Sequence, residues 1–294
     1  MKKLFIVVVF LFLFSLLDSA KAFSVKPSEL LITIDPGLKK TVSLQIVNPE
    51  KFDVNFSGKI YGVKQKNNGS PQFSVGYSVA EAWVKPKQSQ ILVPAGQSKN
   101  FDFTVDIPQS AQSGTYYLGL AIFKTGVNTS TVGLVGQVVS IFNLQVSGQA
   151  FDNISIDKWK LDENKTVGKE WFFDLNLSNK GNMEEQMTGN LLIKNWSGDN
   201  IYKENIYLGN RFLPNSVRYL KPQASLKDNI FWPGIYLAVV EIKYGLSGQT
   251  ILATEHVWYW PSWMWPVTGF FVLGLLILVI FLVKIKRGLK KNRD

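Results

Sequence analysis

The chain has 294 residues, a formal charge of +10 and no cysteine, which excludes thiolate catalysis, cysteine-based zinc sites and a disulfide framework. Nine of its 32 Lys and Arg residues flank two hydrophobic segments, and between residues 23 and 260 the remaining 23 face 20 acidic residues. The excess charge therefore belongs to the ends, and without a basic cluster in the folded part no nucleic-acid partner is expected.

The first residues have the three parts of a secretory signal. Lys2 and Lys3 give a positive start, residues 4–14 are unbroken apolar, and Ala20-Lys21-Ala22 is an Ala-x-Ala cleavage pattern. The apolar part is short for a bilayer span, which needs about 20 residues. Residues 1–22 are thus expected to be a cleaved export signal.

From residue 23 onward, helical periodicity gives way to short alternating runs bounded by Gly, Pro, Asn and Asp, the pattern of strands and hairpins. Residues 30–34 lead into the turn Asp35-Pro36-Gly37, and 41–47 alternate until Asn48-Pro49. Residues 53–61 put Val54, Phe56 and Ile60 on one face. The pattern then echoes itself at 91–93, the turn Pro94-Ala95-Gly96, 101–105 and the break at Ile107-Pro108. Gly114 precedes an apolar run at 115–123, and 132–146 supply one or two further strands. Turn signals at this spacing describe one immunoglobulin-like sandwich over 23–150, with the echo as two hairpins of a single core.

A second sandwich is expected over 151–260. Its strands are 154–156 and 171–177, a hairpin of 189–196 and 201–208, and long strands at 234–245 and 250–258. Ser178-Asn179-Lys180-Gly181-Asn182 reads as a turn, and 212–216 as a corner.

The last segment is read as a membrane anchor over 261–283. Residues 266–283 carry no charge, and Trp258, Tyr259, Trp260, Trp263 and Trp265 form an aromatic belt in front of them. Lys284, Lys286, Arg287, Lys290, Lys291 and Arg293 follow, in a tail over 284–294. Positive charge collects on the cytoplasmic side, so the expected topology is a single pass of the plasma membrane with the N-terminus outside. The fold class expected is all-β, two tandem immunoglobulin-like sandwiches and one C-terminal transmembrane helix.

Several of these pieces together resemble a known family. Phe23-Ser24-Val25-Lys26-Pro27, the Pro36-Gly37 turn with its strand to Asn48, and Asn67-Asn68-Gly69 are the first set. Ile107-Pro108 and Ser113-Gly114-Thr115-Tyr116 complete it. In these segments the first domain resembles the peptidoglycan-binding domain of the bacterial WxL-interacting proteins, and the layout of signal, two sandwiches, helix and basic tail is similar as well. The resemblance implies a cell-surface protein, with peptidoglycan or another surface protein as partner.

Catalytic groups are sparse. His256 is the sole histidine, and no Gly-x-Ser-x-Gly elbow or phosphate-binding glycine loop occurs. The acidic pairs Asp162-Glu163 and Glu184-Glu185 sit in polar, turn-like stretches and read as solvated surface, and Asp102 and Asp106 lack a calcium-loop pattern. No enzyme activity, cofactor or metal is expected. Trp83, Tyr116 and Tyr117 could stack on sugar rings, and Trp159 and Trp171 could pack at an interface, although burial in a sandwich core is the commoner use of such residues. The expectation is a binding protein of the cell envelope, taking wall polymer, a partner surface protein or both. The other reading is an assembly factor or chaperone for exported proteins, which requires an unpaired apolar edge strand.

Overall fold

The computed structural model describes residues 22–125, 136–227, 230–245 and 247–291, with 285–291 described by backbone alone. The expected signal up to Lys21, residues 132–135 of the expected strand over 132–146, and Arg293 of the basic tail lie outside the described residues. The side chains of Lys286, Arg287, Lys290 and Lys291 do so too.

The chain is mostly β, of immunoglobulin-like type, with one C-terminal apolar helix. It divides into two compact units, Met1–Lys64 with Pro71–Ala150 and Gln65–Ser70 with Phe151–Asp294.

The strands of the first unit are β1 (Ser24–Lys26), β2 (Glu29–Ile34), β3 (Lys39–Val47), β4 (Val54–Gln65) and β5 (Pro71–Ser74). They continue with β6 (Val84–Pro86), β7 (Ile91–Val93), β8 (Ser98–Asp106), β9 (Gly114–Thr125) and β10 (Gln137–Val146). One sheet has the order β1-β3-β8-β6 and the other β2-β10-β9-β4-β5, with β7 also on β4. Strand alternation builds the core between them. Val42, Leu44 and Ile46 of β3 point inward, and Val42 lies opposite Phe103 and Leu44 opposite Phe101 of β8. Phe56, Leu118, Leu120 and Phe142 close the core from the second sheet. Each fully buried Phe or Leu contributes on the order of 2–3 kcal/mol relative to an exposed one. Both halves of the sequence echo feed this one core.

The two sheets share the start of the chain. β1 pairs antiparallel with β3, then Pro27 carries the chain across, and β2 pairs parallel with β10 from Glu29 opposite Ile141 to Ile34 opposite Val146. Neither β1 nor this parallel contact was legible from periodicity, because β1 has three residues and parallel pairing leaves no local pattern.

The second unit contains β11 (Ile154–Leu161), β12 (Glu170–Asn179), β13 (Met187–Lys194) and β14 (Asn200–Ile206). β15 (Ser216–Leu220), β16 (Gln223–Ser225), β17 (Gly234–Tyr244) and β18 (Gln249–Tyr259) complete it. The sheet β14-β13-β17-β18 faces the sheet β11-β12-β15, with β16 on β12. Trp171, Phe173, Leu175 and Leu177 of β12 all point into the core. Trp159 stacks on Phe173 with ring centroids 4.6 Å apart, and its indole N–H donates to Ala238 O across the core. Trp159 and Trp171 are therefore core residues, which leaves neither ring free for an interface.

Helix α1 (Met264–Lys291) follows β18 after four residues. Its segment Met264–Lys284 has 21 residues, is apolar up to its closing lysine apart from Thr268, and none of it is buried. At 1.5 Å per residue that length matches the roughly 30 Å hydrocarbon core of a bilayer. Pro266 is tolerated because it stands in the first turn, where its missing N–H has no intrahelical partner to lose.

Candidate functional site

Of the three rings considered for sugar stacking, Tyr117 is buried and Trp83 and Tyr116 are half-buried. Tyr117 is 6 % exposed, because it lies on β9 in the middle of its sheet, and its hydroxyl accepts a hydrogen bond from Asn143 Nδ2. Trp83 ends a short 3-10 turn (Val79–Trp83), which is held by a capping box in which Glu81 accepts from the Ser78 amide. It meets Tyr116 edge-on at 4.8 Å, and the Tyr116 hydroxyl donates to Gln112 O. Both rings pack against the core as half-buried residues. Burial raises the Tyr116 phenol above its ordinary value. Tyr117 offers no face to a ligand, and Trp83 and Tyr116 give part of their surface to each other and to the core.

The acidic pairs divide. Asp162 pairs with Lys221 at 3.3 Å, and Glu184 with Arg211 at 3.2 Å. Glu185, expected to be solvated surface, is buried instead. Its carboxylate accepts from the Gly245 amide at 2.9 Å, while its backbone bridges Phe212 in both directions. Burial, then the hydrogen bond and charge of Asp152, push its carboxyl up to about 7. The cause was invisible locally, since Gly245 and Asp152 are brought beside it only by folding. Asp106 pairs with Lys39 and Asp102 accepts from Ser43. Among the described residues no group of three His, Cys, Asp or Glu side chains could hold a metal ion, and His256 is an exposed residue opposite Leu237.

Sheet edges carry more information. Most are blunted in the ways that prevent adventitious pairing. β6 is three residues long and ends in Pro86, β14 carries Lys203 and Glu204, and β11 has a register shift between Ile156 and Lys158. β18 is a long edge whose exposed side chains alternate Thr250, Leu252 and Thr254.

The start of β10 differs from these. Its residues Gln137 to Ser140 pair with β9 on one side, but β2 begins only opposite Ile141. The reason is the crossing at Pro27, which takes the preceding chain to the other sheet. The Ile141 amide donates to Ser28 O on the β2 side. Strand alternation then turns the backbone N–H and C=O of Val139 and Gln137 to that same outer side. Among the described residues no strand lies against them. The stretch is uncharged, and the space over Gly119 of the neighbouring strand is filled by Phe73 and Val139, since a Cβ there would stand 2.7 Å from the first and 2.9 Å from the second.

The aromatic belt is more selective than its sequence suggests. Trp258 is 64 % exposed, but Tyr259 is buried, with its ring 6.3 Å from Trp171 and 6.2 Å from Tyr236. Alternation along β18 sends one outward and the next into the core, so Tyr259 is a core residue and not part of the belt. Trp260 stacks on Trp258 at 6.3 Å and meets Trp265 edge-on at 6.4 Å. Trp263 stacks on Phe231 at 5.1 Å, and its indole N–H donates to Phe231 O. The sequence reading missed Phe231 and Trp232, which precede β17 without any strand periodicity; the signal available was two adjacent aromatics before a Pro-Gly pair.

No family model and no curated protein matches this chain. Among solved structures it is similar to a chain of the chaperone–tip adhesin complex of CFA/I fimbriae, at 12 % identity over 82 % of this chain and 100 % of that one, TM-score 0.47. It is also similar to the class 5 fimbriae chaperone CfaA, at 11 % identity over 80 % and 99 %, TM-score 0.47. The CupB2 chaperone of Pseudomonas aeruginosa stands at 9 % identity over 80 % and 100 %, TM-score 0.35. These are weak likenesses of fold, and what those proteins bind is a property of theirs.

Proposed function

We propose that this chain is a membrane-anchored, extracytoplasmic protein-binding module that receives an extended segment of another exported protein along β10, as an assembly factor for such proteins would. The observation that carries this reading is the outer edge at Gln137 and Val139, where an uncharged strand presents backbone groups that no strand among the described residues pairs. Backbone groups aligned this way bind an added strand through main-chain hydrogen bonds, while apolar positions beside them select alternating side chains. The buried position of Tyr117 and the mutual packing of Trp83 and Tyr116 weigh against a sugar-stacking surface on the same unit. Helix α1 would confine the module to the membrane surface and so raise its effective concentration for clients emerging there. The belt before the helix and Lys284 with the basic residues after it support an outside N-terminus.

The test uses the full-length protein in lipid nanodiscs, with a photo-crosslinking residue at Gln137, exposed to envelope extract and to purified cell wall in parallel. Adducts with exported proteins are expected, and they should disappear in Val139→Pro, which removes one outward N–H while leaving the β9 ladder in place. Equal adducts in both forms, or retention by cell wall alone, would overturn the proposal.

A further inference from the structure

The register of the second unit's sheet β14-β13-β17-β18 gathers aromatics that are far apart in sequence. Gly234 lies opposite Tyr259, so the segment before β17 stands beside the segment after β18 that leads into the helix. Lys194 of β13 lies opposite Leu237, so the turn between β13 and β14 is at the same end of the sheet. That turn carries Trp196, which is 88 % exposed. Phe231 and Trp232 are 58 % and 66 % exposed, and Ile235, opposite Trp258, is exposed as well. One end of this sheet therefore presents Trp196, Phe231, Trp232, Ile235 and Trp258, and the opposite end presents Gly245 and Gln249.

The chemistry of this end is that of a bilayer interface. No charged residue occurs from Ile230 to Val240 or from Val257 to Val283, and the Trp196 turn brings the opposite charges Lys194 and Asp199 at its two ends. Trp rings, flat and apolar with a single N–H, are enriched where hydrocarbon meets headgroups. Large exposed apolar groups set side by side also carry a cost in water that a soluble surface rarely bears. Phe231 is fixed rather than loose, since Trp263 stacks on it and bonds its carbonyl, and the Tyr236 hydroxyl donates to Trp232 O at 2.9 Å. The exposed pair is thus held in continuity with the start of α1.

We infer that this end of the second unit is a membrane-docking face, in which Phe231 and Trp232 insert into the lipid interface as an anchor separate from the helix, with Trp196 and Trp258 flanking them. The occupant is the phospholipid bilayer itself. The inference rests on the reading of α1 as a membrane span, and it adds that the unit lies on the bilayer in one orientation instead of swinging from the helix.

The absence of cysteine makes the test direct. Single-cysteine variants Phe231→Cys, Trp232→Cys, Leu276→Cys and Gln249→Cys of the full chain are labelled with an environment-sensitive fluorophore and reconstituted in phosphatidylcholine–phosphatidylglycerol vesicles. Labels at 231 and 232 are expected to emit further to the blue, to lose intensity to lipids brominated near the headgroup and to resist aqueous iodide. The label at 249 should do the opposite. If 231 and 232 remain open to iodide and untouched by headgroup-brominated lipid while 276 is quenched by lipids brominated deep in the acyl chains, the helix spans and the docking face is wrong. Protection from iodide without lipid quenching means a protein covers this face, and also overturns the inference. If 276 escapes quenching by lipids brominated deep in the acyl chains, the spanning helix fails and the docking face fails with it.

Discussion

Asn48 and Asn179 perform the same task in the two units, each at the end of a core strand. Asn48 Oδ1 accepts from the Glu50 amide two residues on, and its Nδ2 donates to Phe52 O four residues on and to Val93 O across the unit. Asn179 Oδ1 accepts from the Gly181 amide, and its Nδ2 donates to Met183 O and to Phe212 O. Both side chains are fully buried. Each turn is folded back by an Asn that satisfies a local amide, a local carbonyl and a distant one, so a side chain replaces the ladder that the strand end lacks.

Replacing either Asn by Ala removes three hydrogen bonds to the backbone, of which those to Val93 O, Phe212 O and the Gly181 amide are buried, and each buried loss costs about 1–3 kcal/mol. Asn48→Ala should lower the urea resistance of the first unit and Asn179→Ala that of the second. Pulse proteolysis across a urea series, with fragments of the two units followed separately, reads this. An Asn→Asp change should be nearly as damaging, because it keeps the acceptor and removes both donors.

Glu185 makes stability fall as pH rises. Burial and then Asp152 lift its folded value from 4.5 to about 7, so the folded state holds a proton that the unfolded chain releases earlier. Its stabilising contribution is complete below about 4.5 and is lost as pH climbs through about 7. Glu185→Gln keeps an acceptor for the Gly245 amide and carries no charge. The urea midpoint of the second unit should drop between pH 5 and pH 8 in the wild-type protein and stay closer to level in the variant. A wild-type midpoint that rises over that range would refute the assignment.

Arg218 holds a loop by its shape. The buried guanidinium donates to Leu208 O and Arg211 O and lies 4.8 Å from the centre of the Phe212 ring, and burial lowers its pKa. A lysine has one point of charge and no planar fork, so Arg218→Lys should cost about 2 kcal/mol through the carbonyl it abandons. Gly209→Ala should also destabilise. Gly209 has φ +82°, and a Cβ there would stand 2.7 Å from Arg218 Nη1. Urea denaturation of the two variants measures both effects.

Gly58 is a position of the first unit with no room for a side chain. A Cβ there would meet the Phe101 ring at 2.5 Å and the Phe103 ring at 3.0 Å, and both rings are fully buried. Gly58→Ala should cost about 1–3 kcal/mol through forced movement of these rings. Adding Phe101→Leu should recover part of the loss, because the smaller side chain leaves room for the methyl. Thermal melts of the single and double variants decide the point.

Periodicity in the sequence was sufficient for the features that depend on near neighbours. The inward faces of β3, β8 and β12, the turn at Pro36-Gly37 and the apolar length of α1 all follow from alternation or continuous hydrophobicity, because each expresses one repeating backbone geometry. What each residue does across the fold followed only from tertiary structure. Tyr259 belongs to the core and Trp258 to the surface because the strand continues one residue further than its polar pattern shows. Glu185 is buried because Gly245 and Asp152 arrive from the far ends of the second unit. The open edge of β10 exists because Pro27 diverts the chain to the opposite sheet. The aromatics at 196, 231, 232 and 258 share one end of a sheet because strand register, a long-range property, sets them there.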